Sequence, residues 1–234
     1  MRSSWPPPHS RGKPLREGRS NWQRRGRHRR PSRRTSSRGV CFSAEGGSAS
    51  LMDVLQPRLR AILFDRDDTL VEDVPYNGDP DRVVPMPGAL DALQQVRRAG
   101  LRTGVVSNQS GIARGILTVA QVDAVNARVE RMLGPFDLWR YCPHGSEDGC
   151  RCRKPEPGMI LSAAEQLGVS PAEVAMIGDI GADVQAAAAA GARGVLVPTA
   201  RTRREEVQAA AVVAPDLVSA VALLLAGAPA EAAS

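Results

Sequence analysis

The chain has 234 residues, of which 42% are hydrophobic, and a formal net charge of +6 at pH 7. This length and composition support one sizeable domain with its own hydrophobic core. No stretch reaches the length of an apolar membrane span, and the N-terminal segment lacks the apolar region of a secretory signal. We therefore expect a cytoplasmic protein that does not enter the membrane.

The positive charge is concentrated at one end of the chain. Residues 1–50 contain 13 Arg or Lys and two acidic residues, a local net charge of +11, so the remainder of the chain is net acidic. The basic segment lacks spaced apolar residues, which predicts a disordered tail over residues 1–51. Residues 52–234 are predicted to form the folded domain. Its acidic character argues against a broad nucleic-acid surface outside the tail.

Three interpretations of the tail stay open at this point. It has the composition of a basic arm that binds phosphate backbones, and also that of a transit peptide rich in Arg and Ser. The favoured interpretation is sequence upstream of a start codon assigned too early, with Met52 as the true start. The segment "MDVLQPRLRAILFD" would begin a compact enzyme directly.

From residue 59 onward, short apolar segments alternate with helical patterns. This alternation predicts an α/β fold, a doubly wound, Rossmann-like parallel sheet covered by helices on both faces. Proline and glycine residues mark the predicted boundaries. The predicted strands are Ala61–Asp65, Arg102–Ser107, Leu138–Cys142, Glu173–Gly178 and Gly194–Pro198, and the predicted helices are Pro87–Ala99, Thr118–Leu133, Pro157–Leu167, Asp183–Ala190 and Pro215–Leu225.

Polar residues follow several of these strands. In a parallel sheet, ligands bind at the carboxyl ends of the strands, so we expect these residues to converge. They comprise carboxylates, a hydroxyl, amides and two cations: Asp65 and Asp67 after the first strand, Ser107, Asn108 and Gln109 after the second, Asp179 and Asp183 after the fourth, and Arg153 and Lys154 before the third helix.

The expected chemistry of this group is phosphoryl transfer. Asp65, Asp67 and Asp179 offer the hard oxygen ligands that suit Mg²⁺, which would relieve the repulsion between neighbouring carboxylates. A carboxylate beside the metal can attack phosphorus and form an aspartyl phosphate, while a second carboxylate protonates the leaving oxygen. Ser107, backbone amides and Lys154 would hold the transferring oxygens and balance their charge.

Lys154 is the only lysine in residues 51–234, a region that otherwise uses arginine for positive charge. A compact ammonium group fits between a carboxylate and a phosphoryl oxygen where a planar guanidinium does not. The composition therefore favours a functional role over a stray surface lysine.

A second metal site is predicted in the loop before the third helix. Cys142, His144, Cys150 and Cys152 offer three thiolates and an imidazole, a tetrahedral set for structural Zn²⁺. Their C-x-H-x5-C-x-C spacing would fold one loop around the ion and hold Arg153 and Lys154, which follow directly. The alternative is a set of unrelated reduced cysteines.

The space for a cap domain is small. Residues 70–86 suffice for a short hairpin, here called the flap, and so predict an open site for a small phosphorylated metabolite. The expected specificity contacts are Tyr76, Asn77, Arg114 and Arg153, since arginine suits a second, non-reacting phosphate.

The motifs "DRDDT", "SNQ", "RKP" and "GDIGAD" resemble, in order, those of the haloacid dehalogenase (HAD) superfamily of phosphatases, across residues 61–200. The resemblance implies Asp65 as nucleophile, Asp67 as general acid and base, Asp179 as metal ligand, and Ser107 and Lys154 as phosphate ligands. Asp183 would orient a neighbouring group. Asp68 replaces the usual glycine of the first motif, and we expect a turn residue there, because Asp tolerates left-handed backbone.

The segments "SNQSGIARG", "CPH" and "CRCRKPEPGM" further resemble the phosphatases of D-glycero-D-manno-heptose 1,7-bisphosphate. This implies a Mg²⁺-dependent enzyme that removes the 7-phosphate and carries a zinc loop. Separately, we expect a monomer. Three alternatives remain: a histidinol-phosphate phosphatase, a polynucleotide 3′-phosphatase, and a non-catalytic phosphate-binding regulator in which Asp68 has disabled the site.

Overall fold

The structure is a computed structural model that describes residues 57–226, so the tail predicted for residues 1–51 lies outside the described residues. The described chain forms a five-stranded sheet in which every paired strand is parallel, with the order β3-β2-β1-β4-β5. The strands are β1 (Ala61–Phe64), β2 (Arg102–Asn108), β3 (Leu138–Cys142), β4 (Val174–Gly178) and β5 (Arg193–Leu196).

Six α-helices accompany the sheet within residues 57–226. They are α1 (Ala89–Arg98), α2 (Val119–Leu133), α3 (Gly158–Leu167), α4 (Gly181–Ala190), α5 (Arg204–Ala209) and α6 (Leu217–Ala226). Short 3-10 turns occur at Pro80–Arg82, Ser146–Asp148 and Pro171–Glu173.

Two hydrophobic clusters cover the two faces of the sheet. Ile62 and Phe64 point into a cluster with buried residues of α1, α2 and α6, such as Leu93, Val129 and Val221. Alternate residues of β1 point the other way; Leu63 lies in a cluster with residues of α3 and α4. The predicted doubly wound α/β fold is confirmed.

The strand order positions the polar residues. The central strand β1 is flanked by β2 and β4, where Phe64 lies opposite Val105 and Ile177. Successive strands run to one side of β1 and then return to its other side at β4, which is the switch point where ligands bind in such sheets. Asp65, at the end of β1, therefore faces the ends of both neighbouring strands.

All predicted strands and helices are present, with ends within two residues of their predicted positions. α1 begins after the Pro-Gly pair rather than at it, because Gly88 has a φ of 75°, outside the helical region. Helix α5 was not predicted. It is 6 residues long and none of its residues is fully buried, so it has no apolar periodicity to detect.

The flap is a short excursion with an antiparallel base. Met86 donates a backbone hydrogen bond to Leu70, at 3.0 Å, and Glu72 donates one to Val84, at 2.9 Å. The pairing amounts to isolated bridges, with a 3-10 turn beyond it. Across residues 57–226, no helix has the combined length and apolarity required to cross a bilayer.

Candidate active site

Three buried carboxylates meet at the carboxyl ends of β1 and β4. Asp65, Asp179 and Asp183 each offer an oxygen, and these oxygens lie within 4.8 Å of one another. The backbone N–H of Asp65 donates to the carbonyl of Ile177 at 2.9 Å, which extends the β1–β4 pairing by one residue and places Asp65 beside the end of β4. Asp183 is fully buried in the first turn of α4.

Lys154 lies among these carboxylates. Its Nζ is 2.9 Å from Oδ1 of Asp65 and 2.6 Å from Oδ1 of Asp183, and it donates to the carbonyl of Val106 at 2.8 Å. The three donor positions of an ammonium group thus meet three acceptors. The side chain is 1% exposed. The prediction that Lys154 reaches the site beside Asp65 agrees with this geometry.

Burial and mutual repulsion control the ionisation of the cluster. Burial, with repulsion from Asp183 and Asp67, raises the pKa of Asp65 to about 7 despite the opposing effect of Lys154. Burial, with repulsion from Asp65 and Asp183, raises the pKa of Asp179 to about 8. Burial lowers the pKa of Lys154, but attraction to Asp183 and Asp65 outweighs it, so the net pKa is raised.

The donor set fits a divalent cation. The cluster contains three carboxylates and one ammonium group, so when ionised it carries excess negative charge in a buried place, and its ligand atoms are hard oxygens. Asp65 and Asp179 were both expected in this position. The third carboxylate of this group is that of Asp183, and the predicted third ligand, Asp67, is not a member of it.

The carboxylate of Asp67 is held by two neighbours. Arg66 donates from Nε to Oδ1 and from Nη2 to Oδ2, both at 3.0 Å, and Gln109 donates from Nε2 to Oδ2 at 2.9 Å. Arg66 is buried and also donates from Nη1 to Oδ1 of Asn126 at 2.7 Å. Asp67 therefore belongs to a polar network with Arg66, Gln109 and Asn126.

The polar residues at the end of β2 make two separate sets of hydrogen bonds. Gln109 donates to the hydroxyl of Ser107 at 2.8 Å and so joins Ser107 to Asp67. Asn108 instead exchanges two hydrogen bonds, each 3.0 Å, with the backbone N–H and carbonyl of Lys154. Asn108 was predicted to bind the substrate, and in this geometry its side-chain amide holds the backbone of Lys154.

A cavity of about 290 Å³ lies between the flap and the loop after β2. Its walls include Arg66, Asp67, Tyr76, Asn77 and Gln109. Asp67 is therefore the carboxylate of the first motif that faces this space.

The predicted specificity residues lie in different places. Arg114 donates from Nη1 to the hydroxyl of Tyr76 at 2.9 Å, at an exposed position beside the cavity. Asn77 is buried and accepts a hydrogen bond from the backbone of Asp79, which shapes the flap. Arg153 contacts the carbonyl of His144 at 3.4 Å and stays with the Cys/His loop.

Asp68 has the predicted left-handed backbone, with a φ of 54°. Its Oδ1 accepts from the backbone N–H of Asp73 at 3.0 Å, and its Oδ2 lies 3.6 Å from Nη1 of Arg201. Arg201 also pairs with the carboxylate of Asp73. Asp68 and Arg201 therefore tie the base of the flap to the loop that follows β5.

The four predicted zinc ligands form one cluster. The Sγ atom of Cys142 lies 3.2 Å from that of Cys152 and 3.6 Å from that of Cys150, and Nδ1 of His144 lies 3.2 Å from Sγ of Cys152. All four ligand atoms lie within 4.8 Å of one another. Burial and the adjacent thiols raise the pKa of Cys152, so a cation is needed to stabilise its thiolate. The donor set and spacing fit Zn²⁺.

Comparison with known proteins decides the family. The HAD-hydrolase-like family model matches residues 151–222. The chain is 38% identical over 151 residues to the D-glycero-β-D-manno-heptose-1,7-bisphosphate 7-phosphatase of Pseudomonas putida. The aligned region covers 62% of this chain and 86% of the relative. The chain belongs to this phosphatase family. The heptose bisphosphate phosphatase of Pseudomonas aeruginosa is 34% identical over 172 residues, covering 70% of this chain and 97% of the relative.

A solved structure of the heptose bisphosphate phosphatase family gives the same result. D,D-heptose 1,7-bisphosphate phosphatase from B. bronchiseptica, complexed with magnesium and phosphate, matches with a TM-score of 0.66 and 35% identity, over 73% of this chain and all of that chain. The resemblance to HAD phosphatases inferred from four motifs is confirmed, and the chain is a HAD-family phosphatase and hydrolase.

Sequence reasoning assigned no role to Arg66, Asn126 or Arg201. For Arg66 a signal existed, because a cation stands between two site carboxylates in "DRD". The direction of the Arg66 side chain could not be predicted. Strand alternation would point it away from Asp65 and Asp67, but the strand has ended and the chain turns at this residue. Asn126 and Arg201 carry no local signal, because their partners are distant in sequence.

Proposed function

We propose that this chain is a Mg²⁺-dependent phosphomonoester hydrolase that removes the 7-phosphate of D-glycero-D-manno-heptose 1,7-bisphosphate through an aspartyl-phosphate intermediate. One observation carries the proposal: the carboxylate of Asp65 stands at the end of β1, 2.9 Å from Lys154 and grouped with Asp179, while Asp67 faces the adjacent cavity. The names of the relatives supply the substrate.

Asp65 is the nucleophile. Lys154 and the backbone N–H of Arg66 both bind its Oδ1, at 2.9 and 2.7 Å, so Oδ2 is the oxygen that attacks. The new bond joins Oδ2 to phosphorus as the bond from phosphorus to the sugar oxygen breaks. The pair of electrons from that bond stays on the sugar oxygen, which takes a proton from Asp67.

Hydrolysis restores the enzyme. A water molecule gives a proton to Asp67 and attacks the phosphorus of the aspartyl phosphate, which releases inorganic phosphate and the carboxylate of Asp65. In both steps Lys154 balances the charge of the transferring oxygens, and the hydroxyl of Ser107 binds one of them. Asn108 contributes by holding the backbone of Lys154.

Asp65 and Asp179 would hold Mg²⁺, next to Asp183. When bound, the ion would neutralise these carboxylates and draw charge from the phosphoryl oxygens. Asp183 has a further role in this proposal, because its short contact with Lys154 keeps the ammonium group directed at Asp65.

The sugar would occupy the cavity beside Asp67, where the flap and Gln109 form its walls. Arg114 and Arg153 are the proposed contacts for the phosphate that is not removed, since arginine binds phosphate oxygens in pairs. The Cys142, His144, Cys150 and Cys152 cluster would hold structural Zn²⁺ and brace the loop that carries Arg153. The predicted cytoplasmic location and monomeric state remain predictions.

The decisive experiment is a phosphate-release assay with Mg²⁺ on a small substrate panel. We expect turnover of heptose 1,7-bisphosphate to exceed that of histidinol phosphate and of a 3′-phosphorylated oligonucleotide. Preference for either alternative would replace the proposed substrate. Absence of turnover on every compound, in protein that retains its fold, would favour the non-catalytic regulator.

A further inference from the structure

The guanidinium group of Arg66 makes a bidentate contact with the carboxylate of Asp67. The two bonds, Nε to Oδ1 and Nη2 to Oδ2, are each 3.0 Å long. Arg66 is 2% exposed, so this is a buried, two-bond contact rather than a surface ion pair. Paired bonds of this kind fix the orientation of a carboxylate as well as its position.

The third nitrogen of the guanidinium group, Nη1, hydrogen-bonds to a residue of helix α2, which is distant in sequence. Nη1 donates to Oδ1 of Asn126 at 2.7 Å. Asn126 is a buried polar residue on α2, between Val125 and Val129, which pack into the hydrophobic cluster of that sheet face. A buried amide requires a partner, and Arg66 supplies it. The position of the guanidinium is therefore set by the packed helix.

We propose that Arg66, held by Asn126, is a positioning residue that directs one oxygen of Asp67, Oδ1, toward the leaving group. The inference rests on the proposed function, in which Asp67 transfers the proton. Oδ2 accepts from both Arg66 and Gln109, which occupies its two lone-pair directions. Oδ1 accepts from Nε of Arg66 in the same network, which leaves its other lone pair for the proton that is transferred.

This arrangement explains why arginine, and not simply a cation, follows Asp65. A lysine could keep the charge, but its single ammonium group cannot make two parallel bonds to one carboxylate and a third bond to Asn126. Replacement of Arg66 by lysine would leave Asp67 in place but without the two bonds that fix its orientation. A proton donor must lie within hydrogen-bond reach of the oxygen it serves, so loss of this orientation weakens proton transfer.

The test compares two substrates whose leaving groups differ in how much they require protonation by a general acid. Phenyl phosphate releases a basic phenolate that requires protonation, whereas p-nitrophenyl phosphate releases a stabilised anion that does not. We would measure phosphoenzyme formation in single turnover with both esters, for wild type, Arg66→Lys and Asn126→Ala. We expect Arg66→Lys to slow the reaction of phenyl phosphate by about 100-fold, the scale of a misplaced catalytic group, and that of p-nitrophenyl phosphate only slightly.

Asn126→Ala should give a smaller loss of the same selectivity, since Arg66 and Asp67 remain and only the anchor is removed. Asp123→Asn, an exposed change on the same helix, is the matched control and should behave as wild type. Circular dichroism and thermal unfolding would check that each variant is folded. If Arg66→Lys misfolds, the Asn126→Ala result decides the matter by itself.

Equal loss on both esters would show that Arg66 only stabilises the site, and no loss on either would remove it from the reaction. Both results overturn the inference. Failure of the proposed function would give a different result: the wild-type protein would not form an aspartyl phosphate, or would not hydrolyse heptose 1,7-bisphosphate. The two aryl esters contain no sugar, so an error in the assigned substrate leaves this test intact.

Discussion

The ammonium nitrogen of Lys154 lies 2.6 Å from Oδ1 of Asp183 and 2.9 Å from Oδ1 of Asp65, in a place where solvent reaches almost none of the lysine. Lys154 therefore contributes to the stability of the fold as well as to the chemistry. Removing a charged partner from such a group leaves uncompensated buried charge.

Lys154→Met should accordingly lower the free energy of unfolding by about 3–5 kcal/mol, measured by urea denaturation without added Mg²⁺, because Asp65 and Asp183 lose their shared cation. Phosphate release should also be lost. Arg151→Met removes an exposed charge from the same loop and should leave stability nearly unchanged. An unaltered denaturation midpoint in the lysine variant would show that the buried ion pairs do not stabilise this protein.

Asp65→Asn should abolish Mg²⁺-dependent phosphate release and leave the fold intact. The amide occupies the same volume but is not a nucleophile, and it removes a carboxylate that burial already disfavours. Steady-state assays and circular dichroism would check both parts. Retention of more than a few per cent of wild-type activity would mean that Asp65 does not form the aspartyl phosphate.

The Cys/His cluster should contain a single zinc ion per chain in protein purified under reducing conditions without chelators. Cys150→Ser should lose the zinc and lower turnover of the sugar phosphate, because Arg153 and Lys154 follow this loop directly. Elemental analysis and phosphate release are the measurements. Cys41→Ser, a cysteine outside the described residues, is the matched control, and its zinc content should equal that of wild type. Zinc-free wild-type protein would contradict the assignment.

Asp68→Gly should keep kcat and raise KM. Glycine adopts the left-handed backbone of this position without penalty, so the turn and Asp65 stay in place. The contacts of Asp68 with Asp73 and Arg201 are lost, which loosens the flap that forms one wall of the cavity. Asp68→Ala keeps a side chain in the left-handed region and should also destabilise the protein by about 1 kcal/mol. A large fall in kcat for Asp68→Gly would instead place Asp68 in the chemistry.

Deleting residues 1–51 should leave turnover of a small phosphorylated substrate unchanged. Every residue of the candidate site lies within residues 57–226, and the basic segment lacks the spaced apolar residues that would contribute to a core. Comparison of kcat and KM for the two proteins is the measurement. A lower rate in the shortened, folded protein would show that the tail takes part in function.

The sequence by itself determined the layered α/β fold, the positions of the strands and long helices, and the type of chemistry. Apolar strands alternating with amphipathic segments leave few architectures that bury both faces of a sheet. Strand β3 has its predicted bounds, and the reason is local: Asp137 precedes its first residue, and Pro143, which has no N–H to donate, follows its last. Asp65, Ser107 and Asp179 were predicted to converge because the ends of parallel strands share one edge.

Only the tertiary structure decided how these residues are paired. Asp183 joins Asp65 and Lys154, Asn108 holds the backbone of Lys154, and Asp67 pairs with Arg66. Each arrangement depends on where a loop or helix lies after the whole core has packed. Local patterns report backbone preference and burial, whereas the direction of a polar side chain depends on donors and acceptors brought close by distant parts of the chain. The hydrogen bond between Arg66 and Asn126 is the clearest example. Packing of helix α2 against the core brings Oδ1 of Asn126 to 2.7 Å from Nη1 of Arg66.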